Sequence, residues 1–256
     1  MARSIWNGTI TFGLAAVPIK LYSATESKSI HFHEVHLRDG ARIEHRRICP
    51  KHDRAIDADE TVKGYEVSSG KYVVLEPDEI KAAAGDRGKV IHLEEFVDAA
   101  LIDPVFYEKT YFAGPRDDSE PYKVLFEALR RSSRAGIGRF SFHDREYLVA
   151  ARALDDAIGL HTLRFHDEVV EADDLGLPSG GKKPSKREVE MADKLVSMLE
   201  EDFDPHVYED SYRESVLDVI KRKAAGKEID PMSDEEPEHG DDLAAALEAS
   251  LGSGKN

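Results

Sequence analysis

The chain opens on a period of two. In "SIWNGTITF", Trp6, Ile10 and Phe12 share one parity, and Ile5, Asn7, Thr9 and Thr11 take the other. That is the pattern of a strand with one buried face. After a turn at Gly13, "AVPIKLYSA" places Val17, Ile19 and Leu21 on one face, so the opening reads as a β-hairpin. Pro18 has no N–H to give to a ladder, which puts the second strand at an edge or starts it there. An isolated hairpin is marginal in water, so later segments must cover its apolar face.

Those segments follow in short pieces. "IHFHEVHL", "TVKGYEV" and "KYVVLE" read as β segments, separated by Gly and charged turns and arranged as extended arms rather than one sheet. "PDEIKAAAG" predicts a short helix with Pro77 in the first turn and Gly85 as its stop. "KVIHLEEFV" and "FYEKTYFAG" are two more strands. "SEPYKVLFEALRRSSRAG" is amphipathic, with Ser119 as N-cap, Tyr122, Leu125, Phe126 and Leu129 on one stripe, and Gly136 as its stop. "IGRFSFH", "EYLVAARAL" and "GLHTLRF" add three strands. Strands, a helix and then strands again indicate an α+β fold with many antiparallel pairings.

Beyond Phe165 the composition turns polar and rich in Gly and Pro, as in a linker. Ser185 and Glu188 form a capping box that opens a helix through about Asp202, with Val189, Ala192, Val196 and Leu199 on one face. Pro205 breaks the chain, and "SYRESVLDVIKRKAAG" is a second helix ending at Gly226. Such a helical arm needs something to pack on, and a second copy of the chain is one candidate. "EIDPMSDEEPEHGDD" is acidic and poor in apolar residues, so no fixed structure is expected there. "DDLAAALEASLG" spaces Leu243, Leu247 and Leu251 by four on one helical stripe, too short to be stable alone and suited to a partner groove.

Charge is distributed unevenly. The formal net charge is -16, yet residues 1–54 hold nine Lys/Arg against five acids, which leaves -20 to the remainder. Within "ARIEHRRICPKHDR" stand Arg42, Arg46, Arg47, Lys51 and Arg54, and alternation places Arg42 and Arg46 on one side of a strand. An acidic protein is repelled by nucleic acid unless such a segment faces the partner. Few aromatic residues interleave with these cations, so contact with duplex phosphates fits better than base stacking. Cys49 is the one cysteine, which excludes intramolecular disulfides and suits a reducing compartment. No apolar run reaches the roughly 18 residues of a membrane helix. A cytoplasmic protein is expected.

Chemistry of a catalytic kind is hard to find. P-loop, HExxH, GxSxG and GxGxxG motifs are missing from the sequence. Cys49 and His52 in "CPKH" have the spacing of half a zinc site, but no second pair matches it, so neither metal nor cofactor is expected. A non-enzyme is the expectation. The alternatives are a scaffold that binds an acidic protein and a DNA-end lyase.

"SIWNGTITFGLAAVPIKLYSATE", "FHEVHLRDGARIEHRRICP", "DETVKGYEV", "YVVLEPDEI", "IHLEEFVDAALIDPVFYEKTYFAGP" and "EMADKLVSMLEEDFDPHVYEDSYRESVLDVIKRKAAG" follow one another in the same order as in the bacterial Ku proteins of non-homologous end joining. The chain resembles that family over about residues 1–230. The resemblance implies a β-barrel core over 1–180 with a bridge at about 36–66 and a helical arm over 181–230, which leaves 231–256 as a flexible acidic tail with a short terminal helix. It further implies a ring-shaped homodimer that holds double-stranded DNA ends without sequence preference and recruits an ATP-dependent, multi-domain DNA ligase. On this resemblance Arg42, Arg46, Arg47, Lys51, Arg54, Arg139 and Arg145 would meet DNA. Val189, Val196, Leu199, Tyr212, Val216 and Ile220 would form the dimer arm, and Leu243, Leu247 and Leu251 would engage the ligase. Two departures stand out: many relatives carry CxxC where this chain has Cys49 and His52, and many end in a lysine-rich extension where this tail is acidic.

Overall fold

A computed structural model describes residues 3–84, 89–117, 119–142, 145–177 and 183–227, together with 246, 247 and 250. The chain divides into two units, Met1–Lys28 with Phe32–Glu171 and Ser29–His31 with Ala172–Asn256. In the first unit, β1 (Trp6–Phe12) and β2 (Ala15–Ser23) form the opening hairpin. An insertion follows, holding β3 (Ile48–Cys49), β4 (Arg54–Ala55), β5 (Lys63–Ser68), β6 (Lys71–Leu75) and α1 (Pro77–Ala84). The chain then returns through β7 (Val90–Asp98), β8 (Tyr107–Pro115), α2 (Glu120–Ser132), β9 (Arg134–Phe142), β10 (Arg145–Leu154) and β11 (Ala157–Leu163).

Seven strands close a barrel in the order β1-β2-β8-β11-β10-β9-β7. Neighbours are antiparallel except where β7 runs parallel to β1 and closes the ring, Ile10 opposite Ile91. The alternation read from the sequence becomes an inside and an outside. Ile10, Val17, Ile19, Leu21, Ile91, Phe140, Val149, Ile158 and Leu160 fill the interior. On the outer face Ala135, Ala150 and Leu163 are covered by Ala99, Ile102 and Phe106 from the β7–β8 connection.

One end of the barrel is plugged by α2, which buries Tyr122, Leu125 and Leu129, each contributing about 1.5–3 kcal/mol by leaving water. Ser119 caps the helix by accepting the Tyr122 N–H. The Tyr122 hydroxyl donates to the Ala113 carbonyl at 2.6 Å and accepts the Ile158 N–H at 3.0 Å, joining helix to wall. Tyr122→Phe leaves both backbone groups buried and unpaired, and should lower the unfolding free energy by about 1–3 kcal/mol in urea denaturation. A loss within experimental error would show that the hydroxyl joins nothing of consequence.

Three sequence expectations are corrected. Pro18 lies in an interior strand, since β2 pairs with both β1 and β8. Its carbonyl accepts the Arg116 N–H at 3.2 Å, and in an extended residue the amide nitrogen faces the same side. The missing donor therefore falls just past the last β2–β8 rung, Ile19 opposite Pro115. Gly136 does not stop α2; Ser133 does so in the left-handed conformation, φ 52°, and Gly136 lies inside β9. There a Cβ would come within 2.8 Å of Leu93 Cδ1 and 2.9 Å of Phe96 Cε1. "IHFHEVHL" forms no strand, only an isolated bridge between Val35 and Arg42.

Within the insertion, residues 24–80 and 82 contain no buried residue. Its paired strands are two separate two-stranded ribbons, β3-β4 and β5-β6. Tyr65, Tyr72, Val73 and Val74 are exposed on the second.

The second unit carries α3 (Lys186–Met198) and α4 (Ser211–Ala224). The Ser185/Glu188 capping box forms as expected. The helix ends at Met198 instead of near Asp202, because Glu200, Glu201 and Asp202 would place three carboxylates at the negative end of the helix dipole. α4 is closed by Gly226 at φ 70°.

Candidate nucleic-acid interface

The basic segment folds as two successive loops. In the first, Gly40 at φ 70° turns the chain so that the Ile43 N–H reaches the Glu34 carbonyl and the His36 N–H reaches that of Ala41. The Ile43 N–H that a strand through Arg42–Arg46 could have used is taken up within this loop, and the expected strand with both arginines on one side does not form. The second loop is the β3-β4 hairpin, with Cys49 opposite Arg54. The Ile56 N–H donates to the Arg47 carbonyl at 2.9 Å and extends the ladder by one bond. Arg46 and Arg47 thereby line a depression with His45, Ala55, Ile56, Asp57 and Ala58.

The cations differ in how free they are. Arg42, Arg47 and Lys51 are exposed and engage no carboxylate among the described residues. Arg46 reaches Glu44 at 3.7 Å, with both side chains largely in solvent, a pair of little strength. Arg54 is held by both oxygens of Glu60, at 2.6 and 3.3 Å. That guanidinium, followed by the Asp57 N–H, lowers the Glu60 carboxyl below its ordinary range. Arg54 therefore braces the hairpin, and the free positive charge lies with Arg42, Arg46, Arg47 and Lys51.

The two barrel arginines stand among acids. Arg139 on β9 lies 3.9 Å from Glu94 and 3.7 Å from Glu146. Arg145 opens β10 at the barrel end from which the insertion departs, pairs with Glu168 at 3.5 Å and sits 5.8 Å over the Tyr147 ring. At the same end Lys109 lies 5.4 Å over Tyr111, whose phenol is pushed upward by burial first, then by Tyr147 and Glu108. Phe142 and Tyr147 line a cavity there with Tyr111, Lys109 and Glu108. Each of these tyrosines stands two residues from its cation on the same strand, so the contacts themselves are local; the closed barrel brings the β8 and β10 residues together around one cavity.

Cys49 Sγ and His52 Nδ1 lie 3.3 Å apart across the hairpin turn, with Asp53 at φ 46°. His36 and His45 pair with Asp39 and Glu34, each at 3.0 Å. Among the described residues no three His, Cys, Asp or Glu side chains converge as a metal site. No described helix is long and apolar enough to cross a membrane.

The arm residues are placed as follows. Val189, Val196, Leu199, Tyr212 and Ile220 are exposed, Val196 at 71% and Tyr212 at 76%, and Val216 is half-buried. Exposure of this extent on apolar side chains marks a surface that lacks its cover. Leu247 is helical and half-buried, while Leu243 and Leu251 lie outside the described residues.

Residues 11–191 match the family model described as the Ku70/Ku80 beta-barrel domain. The chain is 39% identical over 254 residues to the non-homologous end joining protein Ku of Anaeromyxobacter sp. (strain K), covering 98% of this chain and 86% of the relative. It is 35% identical to the protein of the same name from Bacillus subtilis (strain 168), covering 97% of this chain and 81% of that one.

Proposed function

The chain belongs to the Ku family, and from that premise we propose that it binds the ends of double-stranded DNA as a ring-shaped homodimer in non-homologous end joining. The observation that carries this reading is the insertion between β2 and β7: a long segment with no buried residue over 24–80, ending its first half in exposed Arg42, Arg47 and Lys51, which engage no carboxylate among the described residues. A segment with no core of its own gains order only by meeting a partner, and these cations suit phosphates. Two copies facing each other would present their cations inward and leave the acidic surplus outside, which opposes sideways attachment along DNA.

Contacts of this kind fix position without reading bases, so no sequence preference is expected. The exposed apolar faces of α3 and α4 would be covered by the second protomer. The terminal Leu243, Leu247 and Leu251 stripe would recruit an ATP-dependent, multi-domain ligase. The role is binding and recruitment without catalysis, exercised at the nucleoid.

Retention on linear duplex compared with covalently closed circles of the same sequence tests the proposal. Linear DNA should be held and circles released, and bulky groups on both ends should prevent loading. Equal binding to both forms would overturn threading.

A further inference from the structure

A second cationic site lies at the other end of the barrel. Arg130 near the end of α2, Arg134 at the start of β9 and Arg152 near the end of β10 line one cavity of about 230 Å³ with Ser133, Ala99 and Leu129. The insertion leaves from the opposite mouth, since it joins the end of β2 to the start of β7, while this cavity adjoins the α2–β9 junction and the last turns of β10.

Two of its three charges are not compensated among the described residues. Arg130 is paired with Glu127 at 2.9 Å. Arg134 stands opposite Asp98 in the β7–β9 ladder, but the Asp98 carboxylate accepts the Ala100 N–H and forms no ion pair with it. Arg152 is half-buried, its Nε–H is buried without an acceptor, and no carboxylate among the described residues meets it. Its charge acts on its neighbour: His161 is lowered to about 4, by burial first and by Arg152 second. A half-buried guanidinium with no carboxylate partner among the described residues favours an anion from outside the chain.

Helix-dipole compensation explains Arg130 in the last turn of α2, but not Arg152, which belongs to a strand. We propose that the Arg130–Arg134–Arg152 cavity binds a phosphate monoester dianion. Two uncompensated guanidinium groups match the charge of roughly -1.5 to -2 that a monoester carries at pH 7, whereas a carboxylate or a backbone phosphodiester supplies one. The planar forks of arginine also fit tetrahedral oxyanions through paired hydrogen bonds. The inference does not rest on the DNA reading, because the cavity lies away from the basic insertion.

The test uses the full chain titrated with inorganic phosphate at constant ionic strength, read by thermal shift and by ³¹P line broadening. Saturable stabilisation is expected, weakened about tenfold or more by Arg134→Gln and by Arg152→Gln. Arg131→Gln, and the pair Arg46→Glu/Arg47→Glu, should leave it intact. Should Arg152→Gln fail to fold, exposed Arg134 carries the test alone. Two further arms separate the sources: a deoxynucleoside 5′-monophosphate, and duplexes with 5′-phosphate against 5′-hydroxyl ends. A preference for 5′-phosphate ends that needs Arg134 assigns the site to DNA termini; binding of the free monoester without that preference assigns it to a small solute. No saturable response, or one unchanged in both arginine variants, overturns the proposal.

Discussion

Replacing Arg46 and Arg47 together by glutamate should abolish retention of linear duplex while leaving the oligomeric state unchanged. Both side chains border one depression on the β3-β4 hairpin and contribute to no buried contact. In a dimer the double substitution removes four arginines and installs four carboxylates. Each phosphate contact adds about 0.9 to the log–log salt slope, so losing four at about 0.15 M salt costs about a thousandfold before any repulsion is counted. The slope should fall by about 3.6 over the same change. Arg54→Gln provides a contrast: its partner is Glu60, so its loss should loosen the hairpin and weaken binding far less. Electrophoretic retardation over a salt series, with sedimentation for the oligomer, reads both quantities. Normal binding by the double variant would remove the insertion from the interface and the central proposal with it.

The second large effect concerns stability. Gly138→Ala should destabilise the barrel by at least about 3 kcal/mol, beyond ordinary overpacking. A Cβ there would lie 2.1 Å from the His92 carbonyl oxygen and 2.8 Å from its carbon. The obstacle is backbone of the neighbouring strand, so no rotamer change relieves it. It also falls where the β7–β9 register shifts between Leu93 and Glu95. Gly13→Ala is the contrast: φ is 55° with nothing within 4 Å, so only the left-handed strain of about 1–2 kcal/mol should apply. Urea denaturation should rank the two clearly, and a Gly138→Ala protein as stable as Gly13→Ala would mean that the strands do not approach so closely.

Much of the barrel was legible because its period is local. The strands from Trp6 to Leu163 and the stripe Tyr122–Leu125–Leu129 state their buried face within ten residues each. The errors arose where one letter serves two purposes. Gly136 and a helix-stopping glycine look alike in a chain; what separates them is whether Leu93 and Phe96 crowd its inner face. Pro18 reads as an edge residue because the rule concerns a missing hydrogen bond, and an interior strand can place that gap beyond its neighbour's end. The basic segment was found from charge alone, but its freedom was not. Arg54 and Arg47 are equivalent in sequence, and only the turn from Ala58 to Glu60 commits one of them.

The sequence by itself determined which segments bury one face, where the helices begin, and that positive charge gathers before residue 54 in an acidic chain. Period, capping chemistry and charge act over a few residues and need no knowledge of the rest. Tertiary structure decided the parallel closure of β7 on β1, the gathering of Lys109 and Tyr111 with Phe142 and Tyr147 around one cavity, and the cluster of Arg130, Arg134 and Arg152. Each joins residues from separate elements, and nothing local fixes how distant strands order themselves around a barrel; only the burial of all their inner faces at once selects that order.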